Sequence, residues 1–451
     1  MVTLTGHQQQ RLDTIIAAGN AGEKVLSLAG PAGTGKTTVV SKLGIEAVRH
    51  GPWNDVIYWT STGRAMVVLT SKLMAEVKTF HSGLYGRGME EKIPLEVNGK
   101  IRYGGDGLPV MVRTGRLFFG SPRENFCDPF TLIVVDEASM ITMRMHEDLM
   151  SVLPFGCAVL YVGDKEQLPP VVGDPVPGFQ EDDEPTAELV EIHRQAWDNP
   201  VIRLATAIRN GEEYEVDKDD DRILDLRYDE EDAAAWRAEA FYSGRDVTLI
   251  TGTNAVRQRV NRRVREMLEI EDVLEVGELL CCFRNDHQRG IMNGETFTAS
   301  KVVEFKVDGF GWLMIITREG DPRPILIQQG TIGMKSKGWS NFRDGLADTF
   351  VHSDQVGVKV MTTIREHLIE EGWPDTAVHV PVLTPSQSND WMRKAFLHVD
   401  YGYCLTIHKA QGSEWNEVGA ILDNWTLSVL GAKGEYTAVT RTRDRLIRWS
   451  V

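Results

Sequence analysis

The sequence predicts an α/β fold whose first domain is a parallel sheet covered by helices. Four short apolar runs are typical of buried strands: VLSLA (25–29), DVIYWTS (55–61), TLIVVDE (131–137) and AVLYVGD (158–164). Because helical patterns separate them, a parallel sheet that binds ligands at the carboxyl ends of its strands is favoured. The 451 residues exceed one usual hydrophobic core, so we expect two to four domains.

Composition narrows the class of protein. The chain is 42% hydrophobic and 25% charged, as is ordinary for a soluble protein. No apolar run approaches the roughly 18 residues of a membrane span, and MVTLTGHQQQ lacks the basic and apolar regions of a signal peptide. The five cysteines form no CxxC pair and no zinc spacing. We therefore expect a cytoplasmic protein with no membrane partner and no structural metal.

The net charge of −16 argues at first against a nucleic-acid partner. Residues 211–232 alone hold twelve acids and three bases, which is over half of that charge. We interpret residues 211–235 as a solvated acidic connection between domains. The remaining chain is nearly balanced, so composition leaves a local basic groove possible.

The strand at 25–29 leads into GPAGTGKT (30–37), which fits the phosphate-binding pattern G-x-x-x-x-G-K-[ST], and a helical pattern follows. Glycines let the backbone wrap a pyrophosphate, and the N–H groups at the helix start point at anionic oxygens. Lys36 is expected to reach the β and γ phosphates, and Thr37 to hold Mg²⁺. The predicted nucleotide contacts here are Gly30, Pro31, Ala32, Gly33, Thr34, Gly35, Lys36, Thr37 and Thr38.

A P-loop needs an acidic partner for its metal, and TLIVVDE ends in two carboxylates. We expect Asp136 to hold Mg²⁺ and Glu137 to orient the attacking water. ATP and Mg²⁺ are therefore the predicted cofactors.

Further segments resemble motifs of superfamily 1 helicases. GDKEQLPPV (163–171) resembles the third motif, LTGHQ (4–8) the adenine-reading Q motif, EIHRQ (191–195) the fourth and GEYTAVTRTR (434–443) the sixth. The resemblance implies that Gln167 senses the γ phosphate and that Gln8 reads adenine. It also implies that Arg194 lies near the γ phosphate and that Arg441 is an arginine finger from a second domain.

LTIHKAQGSEW (405–415) resembles the fifth motif of the same family, which joins the nucleotide cleft to the DNA track. The matching positions are Thr406, His408, Gln411, Ser413 and Glu414. We expect Thr406 and His408 to contact the strand and Glu414 to lie on the nucleotide side.

The chain is most similar in pattern to the RecD-like branch, particularly the compact Dda-type helicases of phages. WTSTGRAMVVLTSKL (59–73) fits the T-G-R-A segment of that branch and KTFHSGL (78–84) its T-x-H-S segment. The resemblance implies 5′-to-3′ travel, and the host cytoplasm as location if a phage encodes the chain. The strand-contact candidates outside the fifth motif are Thr60, Thr62, Arg64, His81, Thr253 and Asn254.

The family architecture implies two RecA-like parallel-sheet domains, with a hairpin insertion in the first and a small β-barrel insertion in the second. The predicted boundaries are 1–85 with 129–210, 86–128 (hairpin), 211–235 (acidic connection), 236–276 with 399–451, and 277–398 (barrel). Within the hairpin, VMVRTGRLFF (110–119) predicts a turn at Thr114-Gly115. Phe118 and Phe119 are either both core residues of the insertion, or an aromatic here or at the nearby turn is the wedge that stacks on the fork.

These features predict an ATP-driven DNA helicase that moves along single-stranded DNA and separates forked duplex. A DNA-stimulated ATPase that remodels nucleoprotein without separating strands, and an RNA helicase, remain as alternatives. Protein partners cannot be read from the residues, and a monomer is favoured.

Overall fold

A computed structural model describes residues 3–86, 89–94, 96–97, 100–101, 111–118, 120–192, 198–217, 220–271, 273–283, 291–307, 311–328, 331–332, 362, 366, 369–370, 372 and 397–451. The chain forms two compact units. One comprises Met1–Arg87, Ser121–Leu268 and Tyr403–Val451, and the other Gly88–Gly120 and Glu269–Gly402. Within the described ranges, no helix is long and apolar enough to cross a membrane.

The described strands are β1 (Val25–Ala29), β2 (Asp55–Thr60), β3 (Val77–Thr79), β4 (Met89–Pro94), β5 (Glu96–Val97), β6 (Lys100–Ile101), β7 (Met111–Phe118), β8 (Thr131–Asp136), β9 (Ala158–Gly163), β10 (Ala187–Glu188), β11 (Ile223–Arg227), β12 (Val247–Thr251), β13 (Leu279–Cys282), β14 (Thr296–Val307), β15 (Gly311–Arg318), β16 (Asp321–Gln328), β17 (Val399–Tyr401), β18 (Cys404–Thr406), β19 (Trp415–Leu422) and β20 (Thr442–Ser450). The described helices are α1 (Gly6–Asn20), α2 (Lys36–His50), α3 (Gly63–Leu73), α4 (Phe80–Leu84), α5 (Met143–Val152), α6 (Pro200–Asn210), α7 (Glu230–Tyr242), α8 (Asn254–Met267), α9 (Ile407–Ala410) and α10 (Gly431–Val439). Short helical turns add Ala138–Met140 and Thr426–Leu430.

The first sheet has the strand order β10-β1-β9-β8-β2-β3, and its paired strands run parallel. Successive side chains point to opposite faces, so a strand covered on both sides must be apolar throughout. In β8, Leu132 and Val134 pack in the core that contains α1 and α2 residues, while Ile133 and Val135 pack with Trp59 on the other face. The α/β prediction from the apolar runs is therefore confirmed.

The second sheet has the order β11-β20-β19-β12-β18 and is also parallel. Its edge strand β11 lies inside the segment predicted as an acidic connection, as does the start of α7. Asp229 caps α7 by accepting from the N–H groups of Glu231 and Asp232, and the first turn is acidic. Acids at a helix start complement its dipole. The prediction of residues 211–235 as a connection is therefore wrong for its second half.

The boundary at residue 210 also moves. Helix α6 begins after Asn199, whose side chain accepts from the N–H of Val201, and Gly211 ends it in the left-handed region at φ 69°. However, α6 packs against α10 and β20 of the second sheet. The Asn199 side chain also donates to the Arg443 carbonyl at 2.6 Å. Helix α6 therefore belongs with the second sheet, and not with the first domain as predicted.

The second unit contains an antiparallel sheet in the order β16-β15-β14-β13-β17. Its core includes Leu280, Phe297, Ile316 and Val399. Because β17 pairs with β13, residues 399–401 lie in this sheet. The predicted boundary, which placed them in the second RecA-like domain, is therefore wrong for these residues. Closure into a barrel stays a prediction.

In the segment predicted as a hairpin, β4 pairs with β7 in antiparallel fashion. Strand β7 includes Thr114 and Gly115, so the hairpin turn predicted there is wrong. The pairing register with β4 shifts at these residues, between Arg113 and Leu117. Of the two wedge candidates, Phe118 ends this strand and Phe119 lies outside the described residues.

Candidate functional site

A cleft of about 510 Å³ lies where the carboxyl ends of β1, β8 and β9 face the second sheet. Five residues predicted as catalytic line it together: Lys36, Asp136, Glu137, Gln167 and Arg441. Of the other predicted nucleotide contacts, Ala32, Gly33, Gly35, Thr37, Thr38 and Glu414 also line it. Arg194 lies outside the described residues.

The P-loop backbone requires two of its glycines. Gly33 and Gly35 have φ values of 81° and 80°, a region that residues with a Cβ rarely adopt. Helix α2 then begins at Lys36, so its first N–H groups face the loop. The Lys36 ammonium donates to the carbonyls of Gly30 at 2.6 Å and Pro31 at 3.0 Å. This cradle of N–H groups around an ammonium is suited to a polyphosphate.

Gln8 supports the P-loop. Its side-chain amide donates to the Thr34 carbonyl at 3.0 Å, and its side-chain oxygen accepts from the N–H of Thr5 at 3.1 Å. Thr5 in turn caps α1 by accepting from the N–H of Gln8, which completes a capping box. Gln8 thus ties the start of α1 to the loop, and adenine recognition by this side chain stays a prediction.

Asp136 and Glu137 form a carboxylate pair at the end of β8. Glu137 has a left-handed backbone at φ 54°, and its N–H donates to the Asp136 carboxylate at 3.0 Å. Burial, together with the Glu137 carboxylate, raises the pKa of Asp136. A cation beside Asp136 would oppose that shift, since it favours the charged form.

The residues present fit Mg²⁺ and ATP. Thr37 and Asp136 supply the hard oxygen ligands that Mg²⁺ prefers, and this ion usually keeps only one or two protein ligands beside phosphate and water. Among the described residues, no group of three or more His, Cys, Asp or Glu side chains could hold a metal ion. The side-chain oxygen of Gln167 is buried and has no hydrogen-bond partner among the described residues, so it can accept from a ligand in the cleft.

The segment that carries Gln167 is hydrogen-bonded to the second sheet domain. The Tyr436 hydroxyl donates to Asp164 at 2.6 Å and accepts from the N–H of Ala32 at 3.4 Å. The N–H of Leu168 donates to the Thr437 hydroxyl at 2.9 Å. Burial and the Asp164 carboxylate raise the pKa of Tyr436 well above its ordinary value. Tyr436 therefore connects the P-loop, the segment after β9 and α10.

Arg441 is only 4% exposed, and second-domain groups hold it in place. Its guanidinium donates to the carbonyls of Thr437 at 3.1 Å and Ser413 at 3.3 Å, and to the Thr440 hydroxyl at 3.1 Å. These acceptors are neutral, so they orient the positive charge without compensating it. At the rim of the same cleft, Glu414 pairs with Arg443 at 3.3 Å.

Four threonines in the predicted strand-contact segments cap the helices that follow them. Thr62, Thr79, Thr253 and Thr406 each accept a backbone N–H of the helix that follows, namely α3, α4, α8 and α9. These helices follow β2, β3, β12 and β18, which form adjacent pairs at one edge of each sheet. Helix starts bind phosphate through their remaining N–H groups. The arrangement is consistent with a strand track.

Other strand-contact candidates have different environments. Thr60 is fully buried and donates to the Thr62 carbonyl at 2.9 Å, so the prediction of a side-chain contact is wrong. Asn254 accepts from Arg257 at 3.1 Å. Burial lowers the pKa values of His81 and His408, which favours neutral imidazoles near pH 7.

Arg64, another strand-contact candidate, lines the nucleotide cleft. Its guanidinium carbon lies 4.6 Å from the ring centroid of Trp415. Trp415 and Tyr436 were both missed as site residues, although each stands inside a quoted motif. Their partners are distant in the chain, so local spacing carries no signal for them.

Two parallel sheets that share a P-loop cleft with an arginine from the second sheet define a two-domain nucleoside triphosphatase. Residues 3–224 match the AAA domain model and residues 401–447 match the UvrD-like helicase C-terminal domain model. These two matches are consistent with a superfamily 1 helicase of the RecD-like branch.

Two relatives named as DNA helicases are similar to parts of this chain, and one solved structure shares its fold. The chain is 26% identical over 328 residues to the ATP-dependent RecD2 DNA helicase of Deinococcus radiodurans. The aligned region covers 70% of this chain and 36% of that protein. The chain is 27% identical over 214 residues to the ATP-dependent DNA helicase dda of Enterobacteria phage T4, which covers 46% and 43%. The chain thus spans less than half the length of these two relatives. A Pif1 helicase from Bacteroides, solved with ADP-AlF3 and ssDNA, shares the fold with a TM-score of 0.50, 16% identity and coverage of 99% and 92%.

Proposed function

We propose that this chain is an ATP-dependent DNA helicase that moves along single-stranded DNA and separates duplex. The observation that carries the proposal is the single cleft that unites Lys36 and Glu137 with Arg441 of the second sheet domain. The helix starts at the adjacent strand ends offer a place for a nucleic-acid backbone. The relatives named as DNA helicases support the choice of substrate.

In ATP turnover, the P-loop N–H groups and the Lys36 ammonium bind the phosphates. Thr37 and Asp136 would hold Mg²⁺, which would supply charge neutralisation when bound. Glu137 orients the attacking water and accepts its proton, while Gln167 accepts a hydrogen bond from a group near the γ phosphate. Arg441 stabilises the charge that develops in the transition state.

We assign the coupling of ATP hydrolysis to movement along DNA to the hydrogen bonds between the two sheet domains. Tyr436 and Thr437 bond to the segment Asp164–Leu168, so a shift of α10 displaces Gln167 and a shift of Gln167 displaces α10. Closure around a ligand in the cleft would move the helix starts of one sheet relative to those of the other. Backbone N–H groups at those starts read phosphate and not base, so we propose little sequence preference.

A tailed-duplex assay tests the proposal. A duplex with a 5′ single-stranded tail should be unwound in the presence of ATP and Mg²⁺, and one with a 3′ tail should not, since the T-G-R-A and T-x-H-S segments resemble the 5′-to-3′ branch. The Lys36→Ala variant, which lacks the ammonium group assigned to phosphate binding, is the control and should unwind neither duplex. Unwinding from the 3′ tail alone would refute the polarity. DNA-stimulated hydrolysis of ATP without unwinding of either duplex would favour a nucleoprotein remodeller. Unwinding confined to RNA duplexes would favour an RNA helicase.

We assign strand separation to the end of β7, at Phe118 or Phe119. Stacking of a base on an aromatic ring contributes about 1–3 kcal/mol, comparable with the mean of about 1.4 kcal/mol for one DNA stacking step. Alanine at the wedge residue should therefore reduce fork unwinding severely and spare hydrolysis stimulated by single-stranded DNA. Normal unwinding by both folded alanine variants would place the wedge elsewhere.

A further inference from the structure

The first turn of α3 meets the segment 412–415 across the nucleotide cleft. Gly412 has φ 75°, and a Cβ built on it would lie 2.8 Å from the Ala65 Cβ and 3.4 Å from the Thr62 hydroxyl. A methyl group does not fit at 2.8 Å, so glycine is needed for the approach as well as for the backbone angle. Three residues further on, Trp415 receives the guanidinium of Arg64 on its ring face at 4.6 Å.

We call this contact between the first turn of α3 and residues 412–415 the seam. It connects the helix start capped by Thr62 to Arg441. The N–H of Trp415 donates to the Arg441 carbonyl at 2.9 Å, and the Ser413 carbonyl accepts from the Arg441 guanidinium at 3.3 Å. Both ends of the segment 413–415 therefore contact Arg441. A displacement of α3 at the seam is transmitted to Arg441 through this short segment.

The chemistry of the pair suits such a contact. A planar guanidinium stacks on an indole ring, which is the best aromatic partner for a cation, and lysine lacks that planar surface. Trp415 is only 6% exposed, so the contact lies largely out of water, where a cation–π interaction is strongest. Arg64 is one of the residues that line the cleft, as are Lys36, Glu137 and Arg441.

We propose that Arg64 and Trp415 form a clasp between the two sheet domains, and that Arg64 is a positioning residue for ATP hydrolysis and not a DNA contact. The clasp holds Arg441 in its orientation when α3 is engaged at its Thr62 end. The proposal rests on the proposed function in naming ATP as the substrate and DNA as the ligand at α3.

A double-mutant cycle on the full chain tests the clasp. Arg64→Ala, Trp415→Leu and the double variant are compared in kcat and KM for ATP at saturating oligo(dT). Each single change should lower kcat/KM by about 2- to 30-fold, the range that one cation–π contact supports, with the effect mainly in kcat because Arg441 acts in turnover. The double variant should lose no more than the worse single variant.

Binding of fluorescein-labelled oligo(dT) without nucleotide separates the clasp from a DNA contact. The clasp predicts unchanged affinity in both single variants, and Arg49→Ala, an exposed arginine on α2, is the matched control. Trp415→Phe keeps an aromatic face and should retain most of the activity that Trp415→Leu loses, with thermal unfolding checked for each variant.

Two results would overturn the clasp: effects that multiply in the double variant, or a weaker nucleotide-free DNA affinity in Arg64→Ala alone. If DNA fails to stimulate the natural chain, the proposed function fails. The same cycle, measured on DNA-independent hydrolysis, then still decides whether Arg64 and Trp415 act together.

Discussion

The Glu137→Gln variant should bind ATP as tightly as the natural chain and hydrolyse it about 10²- to 10⁴-fold more slowly, the range for loss of a general base. Glutamine has nearly the same size as glutamate, and the backbone N–H that donates to Asp136 remains. The phosphate contacts of Lys36 and the P-loop are also unchanged. Only the group that orients water and accepts its proton is lost. Binding of a fluorescent ATP analogue and phosphate release with saturating single-stranded DNA measure the two properties.

Glu23→Gln is a matched control, because Glu23 is an exposed residue before β1. It should change neither binding nor hydrolysis. Near-normal DNA-stimulated hydrolysis by Glu137→Gln would remove Glu137 from the role of base. A parallel loss of ATP binding would make it a binding residue.

The Arg441→Ala variant should lose about 10³- to 10⁵-fold in kcat, as arginine fingers of nucleoside triphosphatases do, with a smaller loss of ATP affinity. The side chain is buried, and its neutral partners orient it toward the cleft without cancelling its charge. Its contribution should therefore be greatest when negative charge develops on the phosphate. Steady-state hydrolysis and nucleotide binding distinguish the two effects.

Arg441→Lys is the informative companion to that variant. Lysine keeps the charge but cannot make the three directed hydrogen bonds of the guanidinium, so it should restore only part of the turnover. A loss confined to ATP affinity in Arg441→Ala would identify a ground-state phosphate contact instead of a finger.

Local sequence patterns predicted the first sheet because its strands are continuous apolar runs and its P-loop has a fixed spacing. The same reasoning failed where the partner of a segment is distant. The acidic residues around Asp229 look solvated in isolation, yet they begin α7, and Glu230 pairs with Arg259 at 2.6 Å. Thr114-Gly115 has turn composition, but β7 continues past it and pairs with β4 on both sides, at Arg113 and at Leu117, with a register shift between them.

The candidate site was predictable in part. Lys36, Asp136, Glu137, Gln167 and Arg441 were selected by motif, and the fold brings them to one cleft. The role of Arg64 could not be read, because its ring partner lies in the last fifty residues. Thr62 and Thr253 were selected from the sequence as strand contacts, but their role as caps of α3 and α8 was not predicted. A cap is defined by the backbone of the helix that follows it.

The backbone at Glu137 has a consequence for the thermostability of this enzyme. A residue with a side chain costs roughly 1–2 kcal/mol in the left-handed region, and Glu137 adopts it at φ 54°. Glycine at this position would relieve that strain but would remove the carboxylate that the proposed reaction needs. Under the proposed function, the turn after β8 gives up folding stability for chemistry, and a search for a more heat-resistant variant would need to leave it unchanged.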